Sequence, residues 1–185
     1  MGYVGVGKKY GVSDNAVRKW KKNYEKAITL LTQAASRGHK NSRYLLAIIY
    51  RDGVGTAKDY STAIKYFSLL HDENMPEASY SLGMFYENGW GVDQDFIQAA
   101  HYYAQAAADG NFPEAKRALG SLYFSGKGVA KNLEKALDLY LDAADGGNHR
   151  AMYNLALMHE KGIAANGDTS IAVEWILKAA EHGND

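Results

Sequence analysis

Residues 78–110 read ASYSLGMFYENGWGVDQDFIQAAHYYAQAAADG, and this text recurs along the chain. Ala99 within it has counterparts at Ala27, Ala63, Ala136 and Ala172, separated by 36 or 37 residues. Four places after each alanine stands a large apolar or aromatic residue: Leu31, Phe67, Tyr103, Tyr140 and Ile176. A pair, usually Ala-Ala, follows: Ala34-Ala35, Ala106-Ala107, Ala143-Ala144 and Ala179-Ala180. A glycine then closes the unit at Gly38, Gly110, Gly147 and Gly183, with Asn74 in its place once. The first half of the unit is also copied. Leu82-Gly83…Tyr86…Gly89-Trp90-Gly91 matches Leu119-Gly120…Tyr123…Gly126-Lys127-Gly128 and Leu46-Ala47…Tyr50…Gly53-Val54-Gly55. Leu155-Ala156…His159…Gly162-Ile163-Ala164 is a weaker copy. Self-similarity at this period is the signature of a solenoid, in which each repeat packs only on its neighbours.

Spacings of three and four place Ala78, Leu82 and Tyr86 on one helical stripe. Glycine or alanine beside the leucine lets a neighbouring helix approach closely. The G-x-G that follows ends the helix, because glycine takes positive φ without steric cost. Asp59, Asp95, Asn132 and Asp168 then stand where a second helix begins, and their side chains suit N-caps. Pro76 and Pro113 fall at helix starts, where a missing N–H does no harm. Each repeat is thus expected to be two antiparallel helices of roughly 12–14 residues. The expected fold is an all-α αα-superhelix: a helical segment over 1–37, then four helix pairs at about 38–73, 74–109, 110–146 and 147–183 of the 38–185 array.

These residues resemble the Sel-one-like repeat (SLR) family, a relative of the tetratricopeptide repeat. Its pattern, A…LG..Y..G.GV..D…A…Y.KAA..G, is met four times in register over residues 38–183. Departures are Ser42 at the first small position, Asn74 for a closing glycine, and the altered loop Ile163-Ala164-Ala165. The resemblance implies a scaffold for protein–protein interaction, in signalling or in bacterial contact with host cells. The family also has cysteine-rich bacterial members held by disulfides; with no cysteine in this chain that branch does not apply.

Period-invariant positions such as Leu82, Gly83, Tyr86, Ala99 and Tyr103 read as packing, so recognition is sought where the copies differ. By the geometry of the tetratricopeptide relative, the L-G-x-x-Y helices line a concave face. The residues flanking the stripe are then Tyr44, Ile48 and Arg51; Tyr80, Met84 and Glu87; Arg117, Ser121 and Phe124; Tyr153, Leu157 and Glu160. Aromatic anchors mixed with arginine forks suit a protein or peptide partner.

Composition is that of an ordinary globular protein: 46% hydrophobic, 23% charged, net charge +0. Charge is unevenly spread. Residues 1–26 hold seven basic side chains against two acidic ones, +5, leaving −5 for the rest. Tyr10-Gly11-Val12-Ser13-Asp14-Asn15-Ala16-Val17-Arg18-Lys19-Trp20 resembles the helix-turn-helix of phage-type and homing-endonuclease-associated DNA-binding segments. That resemblance implies Asn15, Arg18, Lys19 and Lys22 facing the major groove, with Lys8, Lys9 and Lys21 on phosphate. The alternative function is therefore a DNA-associated regulator. Against it, the second helix runs on towards Ala27, which makes the segment a cap on the first repeat.

Nothing in the sequence nominates an enzyme, a cofactor or a metal. Gly2-x-x-x-x-Gly7-Lys8-Lys9 approaches a P-loop but lacks its Ser/Thr and a preceding strand. No histidine pair has H-E-x-x-H spacing, and His159 replaces a stripe tyrosine. No run of 18 or more apolar residues predicts a membrane span. With Met1 as the native start and no signal-peptide pattern, the expected location is cytoplasmic. Ile171, Trp175 and Ile176 form a stripe with no following repeat visible, so they are expected to pack on the preceding helices, to serve self-association, or to meet a continuation of the natural chain.

Overall fold

Caps and glycines delimit the helices. The structure, a computed structural model, describes residues 14–108, 112–163 and 169–182. Those residues form nine helices and no strand: α1 Asp14–Ser36, α2 Lys40–Asp52, α3 Tyr60–Asp72, α4 Pro76–Asn88, α5 Phe96–Ala108, α6 Pro113–Ser125, α7 Leu133–Asp145, α8 His149–Glu160 and α9 Thr169–His182. After α2, α4 and α6 the chain turns at Gly53, Gly89 and Gly126, whose φ values are +72°, +67° and +73°. Each glycine N–H donates back to the helix, to Ile49, Phe85 and Leu122 carbonyls respectively. The loop is then tied to the stripe tyrosine. The N–H of Asp59, Asp95 and Asn132 donates to the carbonyl of Tyr50, Tyr86 and Tyr123 at 2.8, 2.9 and 3.0 Å. The same three side chains cap the next helix: Asp59 accepts from Thr62 N–H, Asp95 from Ile97 and Gln98, and Asn132 from Lys135. One loop therefore ends a helix, closes on it and starts its partner. Asn74, the substitute for a closing glycine, adopts φ +58°, a conformation asparagine tolerates better than most residues.

The all-α fold is of the αα-superhelix (solenoid) class, and its helices come in consecutive repeats. The chain forms two compact units, Met1–Leu70 and His71–Asp185. In the first, α1 packs on α2. The Tyr44 ring meets Phe67 edge-on at 5.8 Å, and Tyr50 stacks on Tyr66 at 6.5 Å. Tyr24 of α1 lies over Gly55, where an added β-carbon would sit 2.4 Å from the ring. In the second unit each helix from α4 to α9 packs on the next. The register alanines Ala63, Ala99 and Ala136 have no exposed surface, and Phe67, Tyr103 and Tyr140 are similarly enclosed. Ala27 differs: it is exposed among the described residues.

The second glycine of G-x-G has a role beyond ending the helix. A β-carbon on Gly128 would lie 2.2 Å from the carbonyl carbon and oxygen of Phe96. This loop thus seats directly on the backbone of the preceding repeat. His159, in the register of the half-buried Tyr50, Tyr86 and Tyr123, is buried.

Candidate functional site

The site in the second unit is built from α4, α6 and α8, with tyrosines reaching through from α5 and α7 and with Ile176 and Ala180 of α9 bordering it. The small residue beside each leucine opens the way. The Tyr103 ring crosses Gly83 so closely that an added β-carbon would be 2.5 Å from it. Its hydroxyl then emerges beside α4 and donates to Glu87 Oε2 at 2.5 Å. Burial, then the Glu87 carboxylate, pushes the Tyr103 phenol far above the usual tyrosine range, while the Arg117 charge pulls the other way. Tyr80 leans on Tyr103 at 5.5 Å and meets Phe112 edge-on at 5.3 Å. Tyr140 repeats the arrangement. Its ring lies 2.9 Å from the place of a Gly120 β-carbon, and its hydroxyl donates to Ser121 Oγ at 3.0 Å. Burial raises the Tyr140 phenol; hydrogen bonds with Ser121 and Asn154 and the Arg117 charge oppose that rise. Arg117 therefore stands within electrostatic reach of both buried phenols.

Two cavities open on this surface. One of about 560 Å³ is walled by Arg117, His149, Arg150, Tyr153, Asn154, Ile176 and Ala180. The other, about 240 Å³, lies among Ser121, Phe124, Tyr140, Asn154, Leu157 and Lys161. Of the residues expected from sequence, Arg117, Ser121, Phe124, Tyr153 and Leu157 line these cavities. Tyr80 and Met84 are half-buried against the core of α5 and α6, Glu87 holds Tyr103, and Glu160 is exposed at the end of α8. In the first unit Tyr44 packs on Phe67 and Ile48 is half-buried. Arg51 has its fork engaged by the adjacent Asp52 at 2.7 and 2.9 Å, which raises the arginine and lowers the aspartate pKa.

Sequence reasoning missed Asn154, Arg150, His149 and Lys161. Asn154 carried a signal: it occupies the register of Leu45, Ser81 and Ala118, so an amide replaces a small or apolar residue at one copy only.

At the amino end, α1 runs unbroken from Asp14 to Ser36. Arg18, Lys19 and Lys22 are exposed on it; the Asn15 side chain, Lys8 and Lys9 lie outside the described residues. At the other end Trp175 is half-buried against the core of α7 and α8, with Lys178 Nζ 4.4 Å from its ring centre. Ile176 is exposed, and the Ile171 side chain lies outside the described residues. Among the described residues no helix is long and apolar enough to cross a membrane, and no cluster of three His, Cys, Asp or Glu could hold a metal ion.

Comparison with known proteins agrees with this architecture. The family model for the Sel1 repeat matches residues 17–39, 41–70, 76–111, 113–148 and 149–184. Its first match takes in most of α1. Among solved structures, a protective antigen with an SLR fold from uropathogenic Escherichia coli is 32% identical, with TM-score 0.80 over 85% of this chain. The chain spans 33% of that antigen's length. A Sel1 repeat protein from Oxalobacter formigenes is 29% identical, with TM-score 0.76 over 91% of this chain and 68% of that one. Helicobacter pylori cysteine rich protein B is 28% identical, with TM-score 0.56, covering 71% and 93% of the two chains. No match is found among curated proteins. With the helix pairs, the tyrosine-tied loops and the family match in register, the chain belongs to the Sel1 repeat family.

Proposed function

We propose that this protein is a non-enzymatic scaffold that holds a protein or peptide along the first helices of its repeats, in a bacterial signalling or host-contact setting. Sel1 repeat proteins generally act as protein-interaction scaffolds. The observation that carries the reading is the contrast within the second unit. The register residues Leu82, Ala99, Tyr103, Leu119, Ala136 and Tyr140 are buried, whereas positions that differ between copies on α6 and α8 contribute to two open cavities. Aromatic, arginine and amide groups converge there, the composition that anchors peptides at low entropic cost. The bacterial sources of the similar structures, one of them a protective antigen, support the setting. On α1 only exposed positive charge favours nucleic acid, and the helix is shared with the repeat array.

The test is site-specific photo-crosslinking in native extract, with a benzophenone at Phe124, at Tyr153, or at Ile97 on α5. A discrete protein adduct from Phe124 and Tyr153 but not from Ile97, with the Phe124 adduct lost in Arg117→Ala/Tyr153→Ala, supports the reading. Adducts from Ile97 alone would place binding on the other helix layer and overturn it.

A further inference from the structure

We propose that the cavity between α6, α8 and α9 receives the C-terminus of a peptide whose last residue is apolar, with its carboxylate on Arg117 and Arg150 and its side chain against Tyr153 and Ile176. The proposal deepens the scaffold reading and rests on it.

The first argument is register. Position 176 corresponds to Phe67, Tyr103 and Tyr140, whose relative exposures are 0%, 1% and 3%. In those repeats an aromatic ring fills the space beside the first helix. Ile176 is smaller and stays 49% exposed, and Tyr153 beside it is 55% exposed. The cavity of about 560 Å³ is what remains. Its size falls within the roughly 300–1,000 Å³ of small-ligand pockets.

The second argument is charge. Arg117 and Arg150 contribute two guanidiniums to the wall, with Asn154 and His149 beside them. Among the described residues neither arginine has an ion pair, whereas Lys116 is paired with Asp142 and Arg51 with Asp52. Among the described residues no carboxylate is in the lining. Guanidinium is weakly hydrated and matches a carboxylate in a two-pronged geometry, so this cavity favours a carboxylate over a neutral group.

The third argument joins the two. Apolar surface from Tyr153, Ile176 and Ala180 lies in the same cavity as the guanidiniums. A C-terminal leucine or phenylalanine carries its side chain and its carboxylate on one α-carbon, and so satisfies both together. An aspartate or glutamate side chain supplies the charge without the apolar group.

The experiment is fluorescence anisotropy on the full chain. The probe is a fluorescein-labelled peptide, Gly-Ser-Gly-Ser-Leu-Phe, with a free carboxylate. Comparison peptides are its C-terminal amide and an amide ending in Leu-Glu. The amide should bind at least ~10-fold more weakly, the loss expected for a hydrogen bond to a charged group. Arg150→Ala, at an exposed position, should lose a similar factor. Ile176→Tyr, which restores the ring found in other repeats, should abolish binding while the circular dichroism stays helical. Equal binding of acid and amide, or unchanged binding by Ile176→Tyr, would overturn the proposal, as would no saturable binding at ~0.5 mM protein. Tighter binding of the Leu-Glu amide would reassign the arginines to acidic side chains and overturn the C-terminal assignment. Failure here with crosslinking retained at Phe124 refutes only this pocket; loss of both refutes the scaffold reading.

Discussion

Replacing Gly83 by alanine should destabilise this protein, although glycine-to-alanine inside a helix ordinarily stabilises. The propensity gain is about 1 kcal/mol. Against it, the new β-carbon would lie 2.5 Å from Cδ1 and Cε1 of Tyr103. Carbon atoms pack at about 3.5–4.0 Å, so the ring must retreat by roughly 1 Å. It has little room to do so, being 1% exposed, tied to Glu87 through its hydroxyl and backed by Tyr80. Overpacking costs about 1–3 kcal/mol, and an immovable ring places this site at the upper end. The net loss is then about 2 kcal/mol. With a urea slope of about 2 kcal/mol/M, the midpoint should fall by about 1 M. Gly120→Ala, whose β-carbon would meet Tyr140 at 2.9 and 3.0 Å, should lose less. The chain itself pairs Ala47 with Phe67, so a ring without the hydroxyl tether accommodates the methyl. Gly83→Ala/Tyr103→Phe should therefore lose about 1 kcal/mol less than the sum of its parts. Urea unfolding followed by far-UV circular dichroism measures all four variants. A midpoint that rises in Gly83→Ala would refute the close-approach argument.

Gly128→Ala combines φ +68° with a β-carbon 2.2 Å from the Phe96 backbone, whereas Gly147→Ala at φ +86° meets nothing within 4 Å. The second should cost only the left-handed strain of about 1–2 kcal/mol and the first distinctly more; equal losses in urea unfolding would remove the repeat-stacking role. His159 is buried with Nδ1 lacking a hydrogen-bond partner among the described residues, where other repeats place Tyr50, Tyr86 and Tyr123. His159→Tyr should recover about 1 kcal/mol, raising Tm by roughly 2–4 °C, and a lower Tm in thermal melts would contradict this. The Tyr103 and Tyr140 phenols are held neutral in the folded state. Their pKa values are raised, so above the unfolded value of about 10 the unfolded chain releases protons that the folded chain keeps. Stability should then fall as pH rises past 10, by up to about 1.4 kcal/mol per pH unit for each such tyrosine. Urea midpoints from pH 9 to 11.5 should show the fall, with a shallower slope in Tyr103→Phe.

Whatever every repeat shares was legible in the sequence. Asp59, Asp95 and Asn132 cap helices as their positions imply, and Asn74 takes positive φ where other copies have glycine. Periodicity exposes such features because one physical requirement is met several times. It is silent on contacts made once. Nothing periodic shows that Asp52 occupies the fork of Arg51, or that Tyr140 finds Ser121 and Asn154. It also obscures the difference between stopping a helix and seating a neighbour, because both call for glycine; only the Phe96 backbone beside Gly128 separates them. Ala27 matches the register yet is exposed, since register specifies which face a residue occupies and not what covers it.

The pairing of small residue with large one links the core to the proposed recognition surface. Tyrosine stands opposite glycine at Gly83/Tyr103 and Gly120/Tyr140, while Phe67 and Ile176 stand opposite Ala47 and Ala156. A hydroxyl reaches the first helix only where the glycine lets the ring pass. It then determines what that helix can offer: Glu87 is held by one phenol and Ser121 by the other. Where alanine and isoleucine replace glycine and tyrosine, no phenol arrives, and a cavity bounded by Arg117, Arg150 and Tyr153 stays open. The Ala156/Ile176 pair thus accompanies exposed surface at the last repeat, whereas Ala47 and Phe67 are fully buried. Solenoids can place a binding site at one repeat in this way without altering the helices that carry it.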